Sequence, residues 1–183
     1  MQVSTLNDLF VKELRDVYNA ERQLIRTLPT MAKKANSPDL SQAIENHLEE
    51  TQEQAKRLEQ AFELLDVSSR GPVCKGMKGI IDEGKETLEE TDEPDVTDAG
   101  IIASAQKVEH YEIATYGTLC EYANVLGHSE IADLLKTTLE EEKAADQKLS
   151  QLAERGINAM ATTDGNGDSE EMGNGNSKNR RKR

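Results

Sequence analysis

The chain has 183 residues, of which 36% are hydrophobic and 3% aromatic, and it contains no tryptophan. This composition suits one helical domain with an aliphatic, alanine-rich core. The formal net charge of −13 argues against nucleic-acid binding by the folded part, because phosphate contacts need clustered lysine and arginine. No apolar run approaches the roughly 20 residues of a membrane-spanning helix, and the N-terminus lacks a signal-peptide pattern. We therefore expect a cytoplasmic protein that does not contact membranes.

The first half of the sequence predicts a helical hairpin. Apolar residues at spacings of three and four predict a helix over residues 5–35, in which Pro29 should cause a kink. Turn-forming residues at 36–39 separate it from a second helix, predicted over residues 38–65. Small and polar residues at 66–72 then predict a loop.

The second half predicts another hairpin after a connecting segment. Residues 74–90 form a shorter amphipathic pattern with three glycines, which indicates a connecting helix. A third long helix is predicted over residues 97–126 and is followed by a glycine. Ser129 should cap a fourth helix, which is expected to end near residue 155 because Gly156 follows.

The two hairpins resemble each other in sequence. When they are aligned, Glu21 of the first helix corresponds to Glu112 of the third, and Glu50 of the second corresponds to Glu141 of the fourth. A duplicated helical hairpin joined by a long connection is how a ferritin-like four-helix bundle is built. We therefore predict an all-α bundle of this class, with a short connecting helix, over residues 1–158.

The inner faces of all four long helices carry acidic residues where apolar ones are usual. An ionised carboxylate buried without a partner is strongly unfavourable, so the inner face is hydrated, the acids are protonated, or a cation lies between them. Of these three explanations we favour the cation. Pairs of iron or manganese ions prefer carboxylate oxygens with some imidazole. The predicted metal ligands are Glu21, His47, Glu50, Glu109, Glu112, Glu142 and Asp146.

Several assignments within this set stay open. The apolar stripe of the fourth helix favours Glu142 as a ligand, whereas the internal repeat favours Glu141. His47 could ligate a metal or hydrogen-bond a neighbour, and His110 is expected to orient a carboxylate. No Glu-x-x-His motif of the usual di-iron bundles occurs at the right place. Three tyrosines flank the proposed site and are expected to pack with their hydroxyl groups satisfied: Tyr18, Tyr111 and Tyr116.

Five segments resemble one known family. They read LNDLFVKELRDVYNAERQL, HLEETQEQAKRLE, CKGMKGI, AQKVEHYEIATYGTL and LEEEKAADQKL. Together they are similar to the YciE/YciF-type ferritin-like proteins, the DUF892 family, over about residues 3–158. The resemblance implies a ferritin-like bundle, a homodimer, a dinuclear metal site and an association with stress responses. It does not imply a demonstrated reaction.

Two hypotheses for function follow. In the first, paired iron or manganese ions act as an oxidoreductase centre that oxidises ferrous iron or reduces peroxide or oxygen. In the second, the chain is a non-catalytic, dimeric helical stress protein that acts by binding a partner. The last residues, 159–183, are rich in Gly, Asn, Asp and Ser with a basic end, which predicts a disordered polar tail.

Overall fold

A computed structural model describes residues 3–162. In that part of the chain, all regular structure is helical. Four long helices form the bundle, and a shorter helix, α3, joins the two hairpins. Their bounds are α1 Leu6–Lys34, α2 Pro38–Leu64, α3 Lys75–Glu90, α4 Pro94–Leu126 and α5 Ser129–Leu152. The predicted ferritin-like class is confirmed, whereas most of the predicted tail lies outside the described residues.

Local sequence signals set most helix ends. Thr5 and Asp8 form a capping box at the start of α1, since each side chain accepts a hydrogen bond from the other residue's backbone. Ser37 caps α2, with Pro38 in the first turn. Gly127 ends α4 in the left-handed conformation (φ 79°), which glycine adopts without steric cost. The predicted boundaries of α1 and α2 hold to within a residue.

Three predicted details of the long helices differ in the structure. The third long helix begins at Pro94 rather than near residue 97, because proline fits the first helical turn. His128, and not Ser129, is the N-terminal flanking residue of α5, and it makes no side-chain cap. α5 ends at Leu152, slightly before the predicted end near residue 155, and a π-helical turn, Ala153–Ile157, follows. The backbone leaves the helical conformation at Gly156 (φ 149°), where the chain kinks before a three-residue helix, α6 (Asn158–Met160). α1 continues through Pro29 as a single assigned helix.

The core consists of two apolar regions with a polar layer between them. One region contains Leu24, Ile44 and Leu149, together with residues of α3. The other contains Val17 and Leu58 with neighbours from α4 and α5. Since these residues lie on both sides of the acidic positions of each helix, the acidic side chains are held at mid-bundle. Within residues 3–162, no helix combines the length and hydropathy that crossing a bilayer requires.

Candidate metal centre

Each long helix places at least one ionisable side chain in the polar layer. α1 contributes Glu21, which lies between the buried residues Val17 and Leu24. α4 contributes Glu109 and Glu112, which share one face because they are three residues apart. The remaining two positions are His47 on α2 and Glu142 on α5. Amphipathic packing of the four helices therefore brings these five side chains inside.

The five side chains form a compact cluster, which we call the acidic centre: Glu21, His47, Glu109, Glu112 and Glu142. Four of them, all but Glu21, each offer a ligand atom within 4.8 Å of the others. His47 Nε2 lies 3.4 Å from Glu109 Oε1. Glu21 accepts a short hydrogen bond from the Tyr116 hydroxyl group, and both of these residues are fully buried. This spacing suits small cations with shared carboxylate ligands.

Most polar atoms of the acidic centre lack a hydrogen-bond partner. Both carboxylate oxygens of Glu112 and of Glu142 are buried and unpaired, as are both ring nitrogens of His47. Oε2 of Glu21 and Oε2 of Glu109 are also buried and unpaired. Buried polar side chains are normally paired, and an unpaired one destabilises a fold by about 1–3 kcal/mol. The donor set therefore fits a bound cation.

Burial raises the pKa of all four carboxyl groups in the acidic centre. For Glu21, Glu109 and Glu112 the pKa lies well above the ordinary value, first because of desolvation and second because of a neighbouring carboxylate. The pKa of Glu142 is also raised by desolvation, although the nearby His47 opposes the shift. Without a cation, these groups therefore retain protons that they would release in water.

Comparisons with known proteins show the family to which the chain belongs. The family model described as a domain of unknown function, DUF892, matches residues 5–162. The chain belongs to the DUF892 family. Protein YciF of Escherichia coli (strain K12) is 46% identical to it over 162 residues, which are 88% of this chain and 98% of YciF. The resemblance seen in the sequence is thus confirmed.

Solved structures of similar proteins have the same fold. The crystal structure of YciF, described as an E. coli stress protein, matches with a TM-score of 0.82 over 88% of this chain and 100% of that one. YcfI from Rhodopseudomonas palustris matches at 48% identity and a TM-score of 0.80, covering 81% of this chain and 95% of its own. A protein from Xanthomonas campestris pv. campestris is 26% identical, with a TM-score of 0.68 over 86% and 96% of the two chains.

Two predicted ligands of this DUF892 protein lie at the rim of the acidic centre. The Glu50 side chain is 47% exposed, and its Oε2 is 3.7 Å from His47 Nδ1. The Asp146 side chain is 24% exposed and lies 3.3 Å from the ring of the exposed His110. Neither carboxylate belongs to the group of atoms within 4.8 Å. Their role as ligands stays a prediction, and His110 does contact a carboxylate, as expected.

The two alternatives on α5 have different surroundings. Glu142 is fully buried within the acidic centre. Glu141 instead points toward α2, where it accepts two hydrogen bonds of 2.6 Å from the Arg57 guanidinium group. Gln54 also donates to Glu141, at 3.2 Å. The geometry therefore favours Glu142 as the residue that faces a cation.

Arg57 is a neighbour of the acidic centre that the sequence did not reveal. Its guanidinium group bridges α2 to Glu141 and donates to Thr138 at 3.1 Å. Together with the buried Gln54, these residues close the gap between α2 and α5 on one side of the acidic centre. The only signal for this contact in the sequence is an arginine at the helical spacing of the inner face of α2. Of the three flanking tyrosines, only Tyr116 contacts the centre, since Tyr18 donates to Glu59 and Tyr111 to Asp16.

Proposed function

We propose that this DUF892 protein binds two iron or manganese ions in its bundle core. Glu21, His47, Glu109, Glu112 and Glu142 would hold them. The supporting observation is the set of buried carboxylate oxygens and imidazole nitrogens without hydrogen-bond partners. Oxygen and nitrogen donors of this kind suit both metals.

Charge balance favours two ions over one. The acidic centre contains four buried carboxylates, so its fully ionised form carries four negative charges. A single divalent cation would leave two of these charges uncompensated in a medium of low polarity, which is strongly unfavourable. Two divalent cations would neutralise the carboxylates. Carboxylates shared between the ions would also reduce the repulsion between them.

A pair of redox-active ions would pass electrons to oxygen or peroxide, and it would accept electrons from ferrous iron if that ion is the substrate. The chain's own residues keep the proposed ligands ordered. The Tyr116 hydroxyl group fixes one oxygen of Glu21, and the Arg57–Glu141 pair holds α2 against α5. Such supporting contacts orient metal ligands and adjust their basicity. We further propose a cytoplasmic homodimer with a role in stress responses, by analogy with E. coli YciF, which is described as a stress protein.

Elemental analysis of the untagged protein, purified without chelator, tests the proposal. We expect about two iron or manganese ions per chain in the wild type. In the Glu112→Gln variant, which removes a charge without changing the volume, most of the metal should be lost while circular dichroism stays unchanged. Glu121→Gln is the matched control, because Glu121 is an exposed residue of the same helix. It should keep the wild-type metal content.

Failure of the wild type to bind either metal after reconstitution would contradict the proposal. The acidic centre would then be a protonated polar network, and the non-catalytic, partner-binding hypothesis would stand. If the metal is bound, assays of ferrous-iron oxidation and peroxide consumption become decisive. Activity that disappears in Glu112→Gln and persists in Glu121→Gln would support an oxidoreductase.

A further inference from the structure

A pocket of about 240 Å³ leads from solvent to the acidic centre. Residues of all four long helices, α1, α2, α4 and α5, line it. On its outer side are the exposed residues Asn46 and Glu50 of α2 and Lys148 of α5. At its inner end lie His47 and Glu109, which belong to the acidic centre. The pocket is therefore a direct route to the proposed metal ligands.

Small side chains create this opening. Ala43 on α2 and Ala145 on α5 are half-buried in the two walls of the pocket. Where Arg57, Gln54 and Glu141 bridge the same two helices, the gap is filled. The difference between the two places is therefore one of side-chain volume, since alanine leaves space that arginine or glutamine would occupy.

The walls of the pocket are mainly apolar. Leu28, Met31, Val108 and Leu149 line it and are all buried. An engineered protein cavity of about 150 Å³ with comparable walls stays dry and binds benzene. A pocket of about 240 Å³ can accept a larger molecule, such as a single ring with a short alkyl chain.

The inner end of the pocket is polar but offers no net positive charge. His47 is 7% exposed and Glu109 2% exposed, and both ring nitrogens of His47 and Oε2 of Glu109 are unpaired. Two divalent cations would only cancel the four carboxylates of the acidic centre. At the outer side, the charges of Glu50 and Lys148 oppose each other. An anionic ligand would thus lose its hydration without gaining a compensating charge.

We infer that this pocket binds a small neutral organic molecule with an apolar body and one hydroxyl end, and that the hydroxyl end lies against His47 and Glu109. The apolar body then contacts the leucine, methionine and valine side chains of the walls. The inference goes beyond the proposed function, which names no organic substrate, because it assigns an organic ligand to the pocket that leads to the proposed metal ligands. A hydroxyl group suits this place, since it can both donate to a carboxylate and accept from an imidazole.

Isothermal titration calorimetry with 4-propylphenol tests the inference on the full chain, both metal-free and loaded with manganese. We expect saturable binding to the wild type. Ala145→Leu should weaken it at least about tenfold, because the added side chain fills the pocket. Ala103→Leu is the matched control, since Ala103 is exposed on α4 and does not line the pocket. It should bind as the wild type does, and the anion 4-propylbenzoate should bind at least about tenfold more weakly than the phenol.

Absence of binding to the wild type would overturn the inference, and so would unchanged binding in a folded Ala145→Leu variant. If that variant does not fold, Ala43→Leu fills the pocket from α2 and decides the matter in the same way. Sedimentation velocity on the same samples tests whether a second copy of the chain covers the opening. A shift from dimer to monomer in the leucine variant, with no phenol binding in the wild type, would assign the surface to an interface and overturn the inference.

Metal analysis of the same samples separates this inference from the proposed function. A chain that binds no metal but loses phenol binding in Ala145→Leu would refute the metal proposal and uphold the pocket as a binding site. Conversely, a chain that binds two ions but no phenol would uphold the metal proposal and refute the pocket. Ala145→Leu itself should retain the wild-type metal content, because Ala145 is not part of the acidic centre.

Discussion

The two hairpins of the bundle are similar in sequence but contribute unequally to the acidic centre. Their long first helices agree: Glu21 of α1 and its counterpart Glu112 of α4 are both fully buried. The second helices, α2 and α5, do not agree in this way. α2 supplies His47, whereas the corresponding position on α5 is Thr138, which accepts a hydrogen bond from Arg57. The duplicated scaffold therefore places side chains symmetrically, while the chemistry at those places has diverged.

The divergence also concerns charge. Glu142 of α5 corresponds to Thr51 of α2, which is buried and bonds the backbone of its own helix at His47. Glu109 of α4 corresponds to Tyr18 of α1, which contacts Glu59 instead of the centre. The second hairpin thus provides three buried carboxylates and the first provides one carboxylate and one imidazole. A cation bound there would consequently be surrounded by unlike donors, and each hairpin can be tested separately.

The largest difference is expected between neighbouring residues of α5. Glu142→Gln should lower the affinity for manganese at least about 100-fold, because it removes a buried donor atom. Loss of a residue that only supports a ligand typically lowers metal affinity by about 10–100-fold. Glu141→Gln should change the affinity much less, since Glu141 faces Arg57. Competition with a chelator of known affinity measures both values. Equal losses in the two variants would contradict the assignment of Glu142 to the centre.

The sequence predicts the buried acids of α1 and α4 better than the residues of α2 and α5. On α4, Glu109 and Glu112 share the face of Tyr116 and Leu119, so helical periodicity alone places them inside. On α5, periodicity and the internal repeat disagree, because a change of one residue turns a side chain by about 100° around the helix. Only the structure shows that Arg57 draws Glu141 outward.

Other features of the site depend on contacts between helices and leave no signal in one helix. The 47% exposure of the Glu50 side chain follows from the rotation of α2 within the bundle, which its own sequence pattern fixes only approximately. The pocket is lined by two small side chains on different helices, Ala43 of α2 and Ala145 of α5. Neither side chain is unusual for a helix, so a gap between them cannot be predicted before the packing of α2 against α5 is known.

A smaller difference is expected on α2. His47→Gln should weaken manganese binding at least about tenfold, because it removes the imidazole ligand of the acidic centre. Glu50→Gln should have a smaller effect, since the Glu50 side chain is half-exposed and outside the group of converging atoms. Chelator competition at one pH compares the two variants. A larger loss in Glu50→Gln would show that Glu50 turns inward as a ligand, as the sequence predicts.

The smallest effect concerns the pH dependence of stability, in which the two hairpins should behave alike. Burial raises the pKa of Glu21 and of Glu112 well above the ordinary value of 4.5. The metal-free folded chain therefore holds protons that the unfolded chain releases, so its stability is greatest below that value and falls as pH rises toward the folded pKa. Between about pH 5 and pH 8 we expect the melting temperature of the metal-free wild type to fall by about 3 °C or more.

Glu21→Gln and Glu112→Gln should each reduce this fall by a similar amount, because both carboxyl groups are fully buried at equivalent positions. Manganese should reverse the sign of the dependence. Metal binding displaces the bound protons, so affinity, and with it the stability of the loaded protein, rises with pH. Thermal melts followed by circular dichroism, with and without manganese, measure both slopes. If only one of the two variants flattened the metal-free slope, the acidic centre would lack the symmetry between α1 and α4 that their equal burial implies.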